Sequence, residues 1–554
     1  MPPRNHICTE APRRGASPSV VPTTHSLWNV LPDRGFVLAT ESRLCEHAAM
    51  QRVVRLLPPF SNPRPQHPET HRRRTRRRLV LVPFAFLWAT LPGGLAATPE
   101  LPPPVAATVS NAPAPGNGWF EVREYGASGS GLVLDTDAIN RAVEACARAG
   151  GGQVRFSPGQ YLSGTIQLRS RVGLHFDSGA RLVGTTNLAE YRQPALPGFM
   201  PEARWGKWHR GLLLGEGVED VTIGGPGVID GNRVFDPTGE ERMRGPHTIV
   251  LVDCRRIELR DLTVRDSANY AVFFQVCDDV EIRNVKFVGG WDGVHWRGAP
   301  ERWCHNVKII HCQFQTGDDA IAGRYWDNTL ISGCIINSSC NGLRLIGPAR
   351  RLIVDDCLFY GPGEQPHRTS REARRTNMLS GIILQPGAWD ATRGPLDDVL
   401  ISDVTMRNVA SPLTLWIKPG NSAGRITVQG LRATGVYRAA LSVESWADSP
   451  VTNVVLRGIS AEFAGGGDAA QAAQSVPGPG VDARPLPAWG LYARNVEQLT
   501  LEDVRLSLAE RDLRPVILAD GVRRLVLDHL RPARVTGVDP WLVTTNGGEV
   551  IQRD

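Results

Sequence analysis

The most regular feature of the chain is an eleven-residue pattern with apolar residues at positions four, six, nine and usually eleven. In one copy, which starts at Cys277, these positions hold Val280, Ile282, Val285 and Phe287. Each copy alternates with period two, changes phase across a two-residue corner and alternates again, which predicts two short strands and no helix. The central copies recur every 22 to 27 residues and start at Cys254, Cys277, Cys304, Trp326 and Ala349.

This repeat length predicts the architecture. A period of about 20–50 residues with strands in each unit is typical of a stacked solenoid, in which equivalent residues lie about 4.8 Å apart on successive turns. We therefore predict an all-β fold, a single-stranded right-handed parallel β-helix with one long core. Position nine then forms a buried ladder of Leu262, Val285, Cys312, Cys334 and Cys357. Because the cysteines lack zinc-ligand spacing, we interpret them as packing residues.

The first turn of such a stack needs a cover. Asp135 and Thr136 predict the start of a capping helix that runs to Ala149 and places Ile139 and Cys146 on its apolar side. This helix shields the exposed edge strand of the first turn. Residues 464–487 are rich in Gly, Ala and Pro and predict a protruding loop.

The N-terminal segment resembles an export signal. Six arginines between Arg72 and Arg78 precede an apolar run from Leu79 to about Leu91, and small residues follow up to Ala97. The alternative is a single anchoring helix. We predict a leader at 1–97 with the signal at about 72–97, a Pro-rich linker at 98–118, a β-helix at 119–535 and a tail at 536–554. The mature protein is then secreted or periplasmic, monomeric and not inserted in a membrane.

The charge distribution argues against nucleic acid as a partner. The whole chain has 62 basic and 56 acidic side chains, a formal net charge of +6. Residues 1–97 alone contribute 14 arginines, no lysine and 5 acids, so the remainder has 48 basic and 51 acidic side chains. A predicted mature chain with a slight negative balance lacks the electrostatic basis for binding nucleic acid.

Several acidic residues lie at equivalent distances from the starts of successive copies of the repeat. Asp292, Asp319 and Asn341 each lie fifteen residues after the start of their copy, and Asp318 lies fourteen after. The alternative is that Asp292-Gly293 and Gly317-Asp318-Asp319 are ordinary turns. Three carboxyl groups on neighbouring turns raise one another's pKa, and a protonated carboxyl beside an ionised one is what hydrolysis of a glycosidic bond requires.

Four segments carry a resemblance to a known family: 122–127, 151–161, 225–231 and 316–322. From about Trp119 to the 430s, the chain resembles glycoside hydrolase family 28, the polygalacturonase family of right-handed parallel β-helices in the pectin-lyase-like superfamily. The resemblance implies that Asp318 protonates the leaving oxygen, that Asp292 and Asp319 activate water, and that the anomeric configuration inverts. It also implies a pectin-type or related polysaccharide substrate, with no cofactor and no metal.

The chain departs from this family at two motifs. Cys340-Asn341-Gly342 stands in place of Gly-His-Gly, and Ile383-Leu384-Gln385 in place of the Arg-Ile-Lys that holds substrate carboxylates. Unsubstituted polygalacturonate is therefore a doubtful substrate. The candidate substrate-binding residues near the acidic column are His295, Arg297, Arg324, Asn341, Arg344 and the flat rings of Trp291 and Trp296. The insertion from Gln365 to Thr376 either folds over the cleft or, as we favour, is a solvated loop.

Three other functions stay open. A neutral glucan hydrolase of the dextranase type has a lone Asp and an Asp pair on the same fold. A polysaccharide lyase needs a basic residue such as Arg324 or Arg344, often with calcium. A carbohydrate-binding solenoid would use only the aromatic and arginine surface. The products discriminate, because a lyase leaves an unsaturated sugar that absorbs ultraviolet light and a hydrolase does not.

Overall fold

The chain winds into a parallel β-helix in which each complete turn has three strands. The computed structural model describes residues 118–195, 209–368 and 374–554. Each strand pairs with its counterpart on the next turn, and every strand ladder in these ranges is parallel, as in Val294–Ile321–Leu343. The predicted all-β parallel β-helix is confirmed. The predicted leader and nearly all of the linker lie outside the described residues.

We name the three faces the cleft face, the second face and the third face. The cleft face contains β5 (Ile166–Gln167), β8 (Gly211–Glu216), β12 (His247–Val252), β15 (Val272–Gln275), β18 (Val294–Arg297), β21 (Ile321–Arg324), β24 (Asn341–Leu345), β27 (Ser380–Leu384), β30 (Leu413–Ile417), β33 (Leu441–Ser445) and β40 (Leu542–Thr545). The second face contains β1 (Trp119–Glu121), β3 (Gly152–Phe156), β6 (Val172–Phe176), β9 (Glu219–Gly224), β13 (Arg255–Arg260), β16 (Asp278–Arg283), β19 (Cys304–Ile310), β22 (Trp326–Ser332), β25 (Ala349–Asp355), β28 (Gly394–Ser402), β31 (Asn421–Gln429), β34 (Val451–Arg457) and β41 (Glu549–Arg553). Two long strands, β36 (Leu491–Glu502) and β38 (Ile517–Asp528), belong to both faces.

The third face is a separate sheet of shorter strands. It contains β2 (Ser130–Leu134), β4 (Gly159–Ser163), β7 (Ala180–Gly184), β10 (Val228–Asp230), β14 (Thr263–Arg265), β17 (Lys286–Val288), β20 (Gln313–Thr316), β23 (Ile335–Ser338), β26 (Leu358–Tyr360), β29 (Thr405–Arg407), β32 (Arg432–Val436), β35 (Ser460–Phe463), β37 (Arg505–Leu508) and β39 (Arg531–Pro532). Outside the three faces lie β11 (Phe235–Glu240), α1 (Thr136–Arg148), α2 (Ala469–Ala472) and the 3-10 turns Val122–Tyr125 and Leu188–Glu190.

The eleven-residue pattern accounts for two of the three strands in a turn. In β16 and β17 the apolar positions Val280, Ile282 and Phe287 are buried, and the residues between them are exposed or half-buried. The third strand, on the cleft face, was not predicted. All four residues of β18 are buried, because one side faces the core and the other faces additional loops, and the strand lies outside the eleven-residue pattern.

The corner between the second and third faces explains the change of phase in the pattern. Asn284, His311 and Asp356 occupy this corner with φ of 51°, 53° and 48°. Left-handed φ suits Asn and Asp better than most residues, because their short side chains bond locally. The Asn284 side chain also donates from Nδ2 to Asp261 Oδ1 of the preceding turn at 2.8 Å, which ties neighbouring corners together.

The interior of the coil is apolar along its length. The predicted ladder is confirmed, since all five of its side chains belong to one buried cluster: Leu262, Val285, Cys312, Cys334 and Cys357. The eight cysteines within the described residues are all buried and none forms a disulfide. Rings also stack from turn to turn, as Phe287 and Phe314 do at a centroid distance of 4.8 Å. Interior packing of this kind stabilises each turn through its neighbours.

The sequence predicted the N-terminal end of the coil correctly and the C-terminal end incorrectly. The capping helix is present as α1, which buries Ile139, Val143 and Cys146. The predicted tail at 536–554 is wrong, because β40 and β41 lie within it and pair with β38, so the coil continues nearly to the last residue. Among the residues with described structure, no helix is both long and apolar enough to cross a membrane.

Candidate active site

A cleft of about 250 Å³ opens on the outer side of the cleft face, over β18, β21 and β24. The predicted catalytic residues Asp292, Asp318 and Asp319 all line it. The ladder aligns Val294 with Ile321, and backbone Gly293 N donates to Asp319 O at 3.0 Å. Asp292 and Asp319 therefore hold equivalent places on adjacent turns, so the structure brings the three side chains together as the repeat predicts.

Asp318 and Asp319 share the cleft although they are neighbours in sequence. Adjacent residues of a strand point to opposite sides of a sheet, so they must lie at a bend to share one. Both lie between the end of β20 and the start of β21, outside the strands. Hydroxyl groups fix this bend, since Thr316 Oγ1 and Ser338 Oγ donate to the Asp318 carbonyl at 2.9 and 2.7 Å.

Asp292 is bound to a histidine and not to a cation. His295 Nδ1 lies 2.7 Å from Asp292 Oδ2, and Arg297 Nε donates to His295 Nε2 at 3.0 Å. His295 and Arg297 alternate on β18 with Val294 and Trp296, which face the core. The period-two geometry of the strand thus places both polar residues in the cleft.

Asp318 has two partners from segments that the repeat does not contain. Arg244 Nη2 donates to Asp318 Oδ2 at 2.8 Å, and His367 Nε2 lies 3.5 Å from the same oxygen. Arg244 follows β11, while His367 belongs to the insertion after β26. Asp318 Oδ1 accepts the backbone N–H of Asp319 at 3.1 Å, so both carboxyl oxygens are occupied as acceptors.

Asp319 has an amide and a second arginine as partners. Asn341 Nδ2 donates to Asp319 Oδ1 at 2.8 Å, and Arg344 Nη1 lies 3.4 Å from Oδ2. Arg344 is itself held by the loop after β35, because its Nη2 donates to the Val481 carbonyl at 2.6 Å. Asn341 is fully buried. We therefore assign Asn341 to the support of Asp319 and not to direct substrate contact.

Burial and nearby charges shift the pKa values of the three carboxyl groups in different directions. Burial raises the pKa of Asp292 well above its ordinary value, and the nearby Asp318 and Asp319 carboxylates raise it further. Burial also acts on Asp318, but Arg244 and His367 outweigh it and lower the pKa of this carboxyl. Burial raises the pKa of Asp319, with Arg344 opposing and Asp318 adding to the rise. The cleft therefore holds one strongly acidic carboxyl and two that retain protons more readily.

The candidate cations differ in their pairing. Arg324 is buried and pairs with Asp390, which lines the cleft. Arg297 lines the cleft, is only 4% exposed and forms no ion pair within the described ranges. Its Nη1 is buried without a hydrogen-bond partner. A buried guanidinium without an anion is costly, so Arg297 is the residue here that most requires an anionic ligand.

Two tryptophans predicted to bind substrate have rings that are not accessible from the cleft. Trp296 is wrong as a binding residue, since it lies in the core between Phe274 and Trp326 at centroid distances of 5.3 and 3.9 Å. Trp291 is 1% exposed, and the Arg244 guanidinium covers its ring at 4.1 Å. Trp389 lines the cleft and is 46% exposed, and the Arg344 guanidinium lies over one side of its ring at 5.2 Å.

Several residues that line the cleft were not predicted from the sequence. Arg244 and Asp482 belong to segments between strands, where no repeat register relates them to the acidic column. The expectation that the insertion from Gln365 is solvated is wrong for His367 and Arg375, which both line the cleft. The dense charge of Glu240-Glu241-Arg242 before Arg244 is the one sequence signal that marked that segment as unusual.

The acidic cluster is charge-balanced by the protein itself. Carboxylate oxygens of Asp318 and Asp319 and the Cys340 Sγ lie within 4.8 Å of one another. Arg244 and Arg344 already pair with these two carboxylates, and burial first, then both aspartates, raises the pKa of the Cys340 thiol well above its ordinary value. A thiol must lose its proton to bind a metal, so these residues do not fit a cation well.

Known proteins resemble this chain in sequence and in fold. The family model described as a right-handed beta helix region matches residues 247–365. An exopolygalacturonase from Platanus acerifolia is 21% identical over 396 residues, which cover 67% of this chain and 97% of that protein. An exo-poly-alpha-D-galacturonosidase from Dickeya chrysanthemi is 23% identical over 254 residues, covering 36% of this chain and 41% of that protein, so the match spans less than half of its length.

Solved structures add to the fold assignment. The exopolygalacturonase of Thermotoga maritima superposes with a TM-score of 0.52 at 16% identity, covering 71% of this chain and 93% of that one. At this identity the likeness establishes the fold alone. The chain is a right-handed parallel β-helix, and its resemblance to glycoside hydrolase family 28, the polygalacturonase family, is confirmed.

Proposed function

We propose that the protein is a glycoside hydrolase that cleaves a pectin-type or related acidic polysaccharide by a single inverting displacement. The observation that carries the proposal is the convergence of Asp292, Asp318 and Asp319 in one cleft with differently shifted pKa values. Hydrolysis by inversion needs a protonated carboxyl for the leaving oxygen and an ionised one for the attacking water. A cleft that holds both kinds of carboxyl supplies these two groups.

Arg297 supports an acidic substrate. In the resembled family an Arg-Ile-Lys motif holds substrate carboxylates, and here Gln385 stands where the lysine would be. Gln385 is fully buried, and neither atom of its side-chain amide has a partner. Arg297, in contrast, lines the cleft beside Asp292 and lacks an anion. A uronate carboxylate would give this guanidinium the charge-assisted hydrogen bonds that the protein does not provide.

The proposal also concerns location. Cell-wall polysaccharides lie outside the cytoplasm, so an enzyme that degrades them has to be exported. The Arg-rich and apolar segment at about 72–97 is the part of the chain that we propose directs this export. We further propose that the exported protein acts as a monomer, with no nucleic acid as a partner.

A substrate screen tests the proposed function. Purified protein is incubated with polygalacturonate, rhamnogalacturonan and dextran, and the release of reducing ends is measured together with ultraviolet absorbance. We expect reducing ends from an acidic polymer without an absorbing product, and no release by the Asp319→Asn variant. Absorbing products would establish a lyase, release from dextran alone a neutral glucan hydrolase, and binding without turnover a carbohydrate-binding solenoid. Each of these three results contradicts the proposal.

A further inference from the structure

Two arginines lie side by side on consecutive turns of the coil, beneath the cleft. Arg297 ends β18 and Arg324 ends β21, and the strand ladder pairs them directly. Residues paired in this way lie about 4.8 Å apart along the backbone and point to the same side of the sheet. Both arginines are at most 9% exposed. The fold therefore brings two guanidinium groups together in a place that is largely closed to water.

The two arginines share a single carboxylate. Within the residues that the structure describes, Asp390 is the one acid that pairs with either of them, and it pairs with Arg324. Asp390 lies in the segment between β27 and β28. The Arg297 Nη1 is buried without a hydrogen-bond partner. A buried charge is costly unless it is paired, so the two cations lack one negative charge.

The other acidic side chains that line the cleft are engaged elsewhere. Their contacts are Glu241 and Asp318 with Arg244, Asp319 and Asp482 with Arg344, Glu240 with Asn269, and Asp292 with His295. The remaining arginine that lines the cleft, Arg375, donates to the Cys340 sulfur at 3.5 Å. The described part of the chain therefore has no cleft acid left over for Arg297.

The groups around Arg297 hold it in place without neutralising it. Its Nε donates to His295 Nε2 at 3.0 Å, and its guanidinium lies over the Phe273 ring, 5.5 Å from the ring centroid. Burial first, and then Arg297 and Arg324, lower the pKa of His295 well below its ordinary value, so this imidazole is neutral. Burial likewise lowers the pKa of His209 to about 3. The guanidinium is thus fixed in direction and keeps its full charge.

Asp390 is the member of the Arg324 pair that reaches the cleft. It lines the cleft with a side chain that is 29% exposed, whereas the Arg324 side chain is 10% exposed and is not part of the lining. Other contacts hold the surrounding segment, since Gly387 N donates to the Ile346 carbonyl at 3.1 Å and Thr392 Oγ1 donates to an Asn421 side chain at 3.0 Å. The Asp390 carboxylate can therefore leave Arg324 while its segment stays anchored.

We propose that Arg297 and Arg324 together bind a substrate carboxylate, and that Asp390 is an internal anion that competes with it for Arg324. The inference rests on the proposed function and adds Arg324 and Asp390 to the residues that select the substrate. One uronate carboxylate accepts hydrogen bonds from both guanidinium groups while Asp390 turns toward solvent. A methyl ester carries no charge and cannot displace Asp390, so the site selects against esterified sugars.

The place of the two arginines sets which sugar carries this carboxylate. Gln385, which stands where the resembled family has its lysine, lies in the same column two turns after Arg324. Arg297 and Arg324 instead end the strands that follow Asp292 and Asp319. A single imidazole, that of His295, separates Arg297 from Asp292. The bound carboxylate therefore belongs to a sugar at or beside the cleaved bond.

Esterification of the substrate tests this assignment. Polygalacturonate and rhamnogalacturonan are used with free carboxylates and after complete methyl esterification, and kcat/KM is measured from the release of reducing ends. We expect the wild-type protein to prefer the free acid, and Arg297→Gln or Arg324→Gln to lower the acid-to-ester ratio about 10- to 100-fold. Arg297→Lys keeps the charge and should retain part of this ratio.

Asp390→Asn should act in the opposite direction. Removal of the competing anion should raise the acid-to-ester ratio about 2- to 5-fold, through a lower KM for the free acid. The matched control is Arg302→Gln on the second face, where the arginine pairs with Asp278 and the ratio should not change. Thermal unfolding of each variant checks that it is folded. If a glutamine variant does not fold, Asp390→Asn carries the test, because a merely structural ion pair predicts a fall in kcat/KM for both substrates.

The outcomes separate this inference from the proposed function. If folded Arg297 and Arg324 variants keep the wild-type ratio, the assignment is wrong and the proposed function stands. The same holds if Asp390→Asn lowers kcat/KM for acid and ester alike. If the wild-type protein cleaves none of the four polymers, the proposed function fails and the inference fails with it.

Discussion

The same turns of the coil build two columns of opposite character. Inside, Val285, Cys312 and Cys334 stack in a dry ladder in which each residue is covered by its neighbours. Outside, Asp292 and Asp319 stack on the same turns as two carboxyl groups buried beside one another. The repeat imposes proximity on both columns. Proximity stabilises apolar side chains and destabilises carboxylates, so the outer column is retained for its chemistry and not for stability.

The largest expected effect is on catalysis. Asp319→Asn keeps the shape of the outer column and removes its charge, and we expect turnover of the cleaved polysaccharide to fall about 10²–10⁴-fold. The matched control is Asp278→Asn on the second face, where the aspartate pairs with Arg302 away from the cleft. Initial rates of reducing-end release measure both variants. Equal losses in the two would show that the outer column has no special role.

The next effect breaks the inner column. Phe314→Ala removes a fully buried ring that stacks on Phe287, and we expect the free energy of unfolding to fall by about 3–5 kcal/mol. The control Ile335→Ala lies on an outward position that is 42% exposed and should change stability by less than about 0.5 kcal/mol. Urea titration followed by tryptophan fluorescence measures both. If the two substitutions lowered the free energy of unfolding by similar amounts, the inner column would not be the source of stability.

A third change tests how the outer column is held together. Arg244→Met leaves Asp318 buried without its guanidinium and should lower stability by about 3 kcal/mol at pH 7. Because the folded pKa of Asp318 is lowered, the contribution of this pair is present above the ordinary pKa of about 4 and is lost as pH falls below it. The difference between wild type and variant should therefore shrink toward pH 2. If the difference in unfolding free energy between wild type and variant does not vary with pH, Arg244 does not act by pairing with the ionised Asp318.

The smallest expected effect has the opposite sign. Asp292→Asn relieves a buried carboxyl whose folded pKa is raised, so the variant should be more stable than wild type by about 1 kcal/mol at pH 8. A raised folded pKa means that ionisation costs stability as pH rises past about 4, and the gain should vanish below that pH. Thermal unfolding at pH 4 and pH 8 measures it. A loss of stability at pH 8 would mean that Asp292 is ionised and favourably paired.

The parts of the molecule that follow the repeat could be predicted from the sequence. Position nine of the pattern located Cys312 and Cys334 inside, and the fifteen-residue offset aligned Asp292, Asp319 and Asn341 outside. Both predictions needed only the offset from the start of each copy, because residues at one phase of a solenoid stack whatever their identity.

The parts that do not follow the repeat were missed. Arg244 and His367 reach Asp318 from loops whose length and course no period sets. Trp296 was placed in the cleft wrongly. The sequence of β18, Val-His-Trp-Arg, alternates apolar and polar residues, but the eleven-residue pattern does not cover this strand and supplies no register for its two sides. The scaffold and its carboxylates were thus predictable, whereas the partners that tune their pKa values were not.

The most direct test of the central claim follows the anomeric configuration of the product. Proton NMR is recorded during the first minutes of polygalacturonate or rhamnogalacturonan digestion by the full chain, with Asp319→Asn as the control. The account predicts new reducing ends that first appear in the inverted configuration, and none with the variant. Reducing ends of retained configuration, an unsaturated product, or equal activity in the variant would contradict an inverting site built from these stacked carboxyl groups.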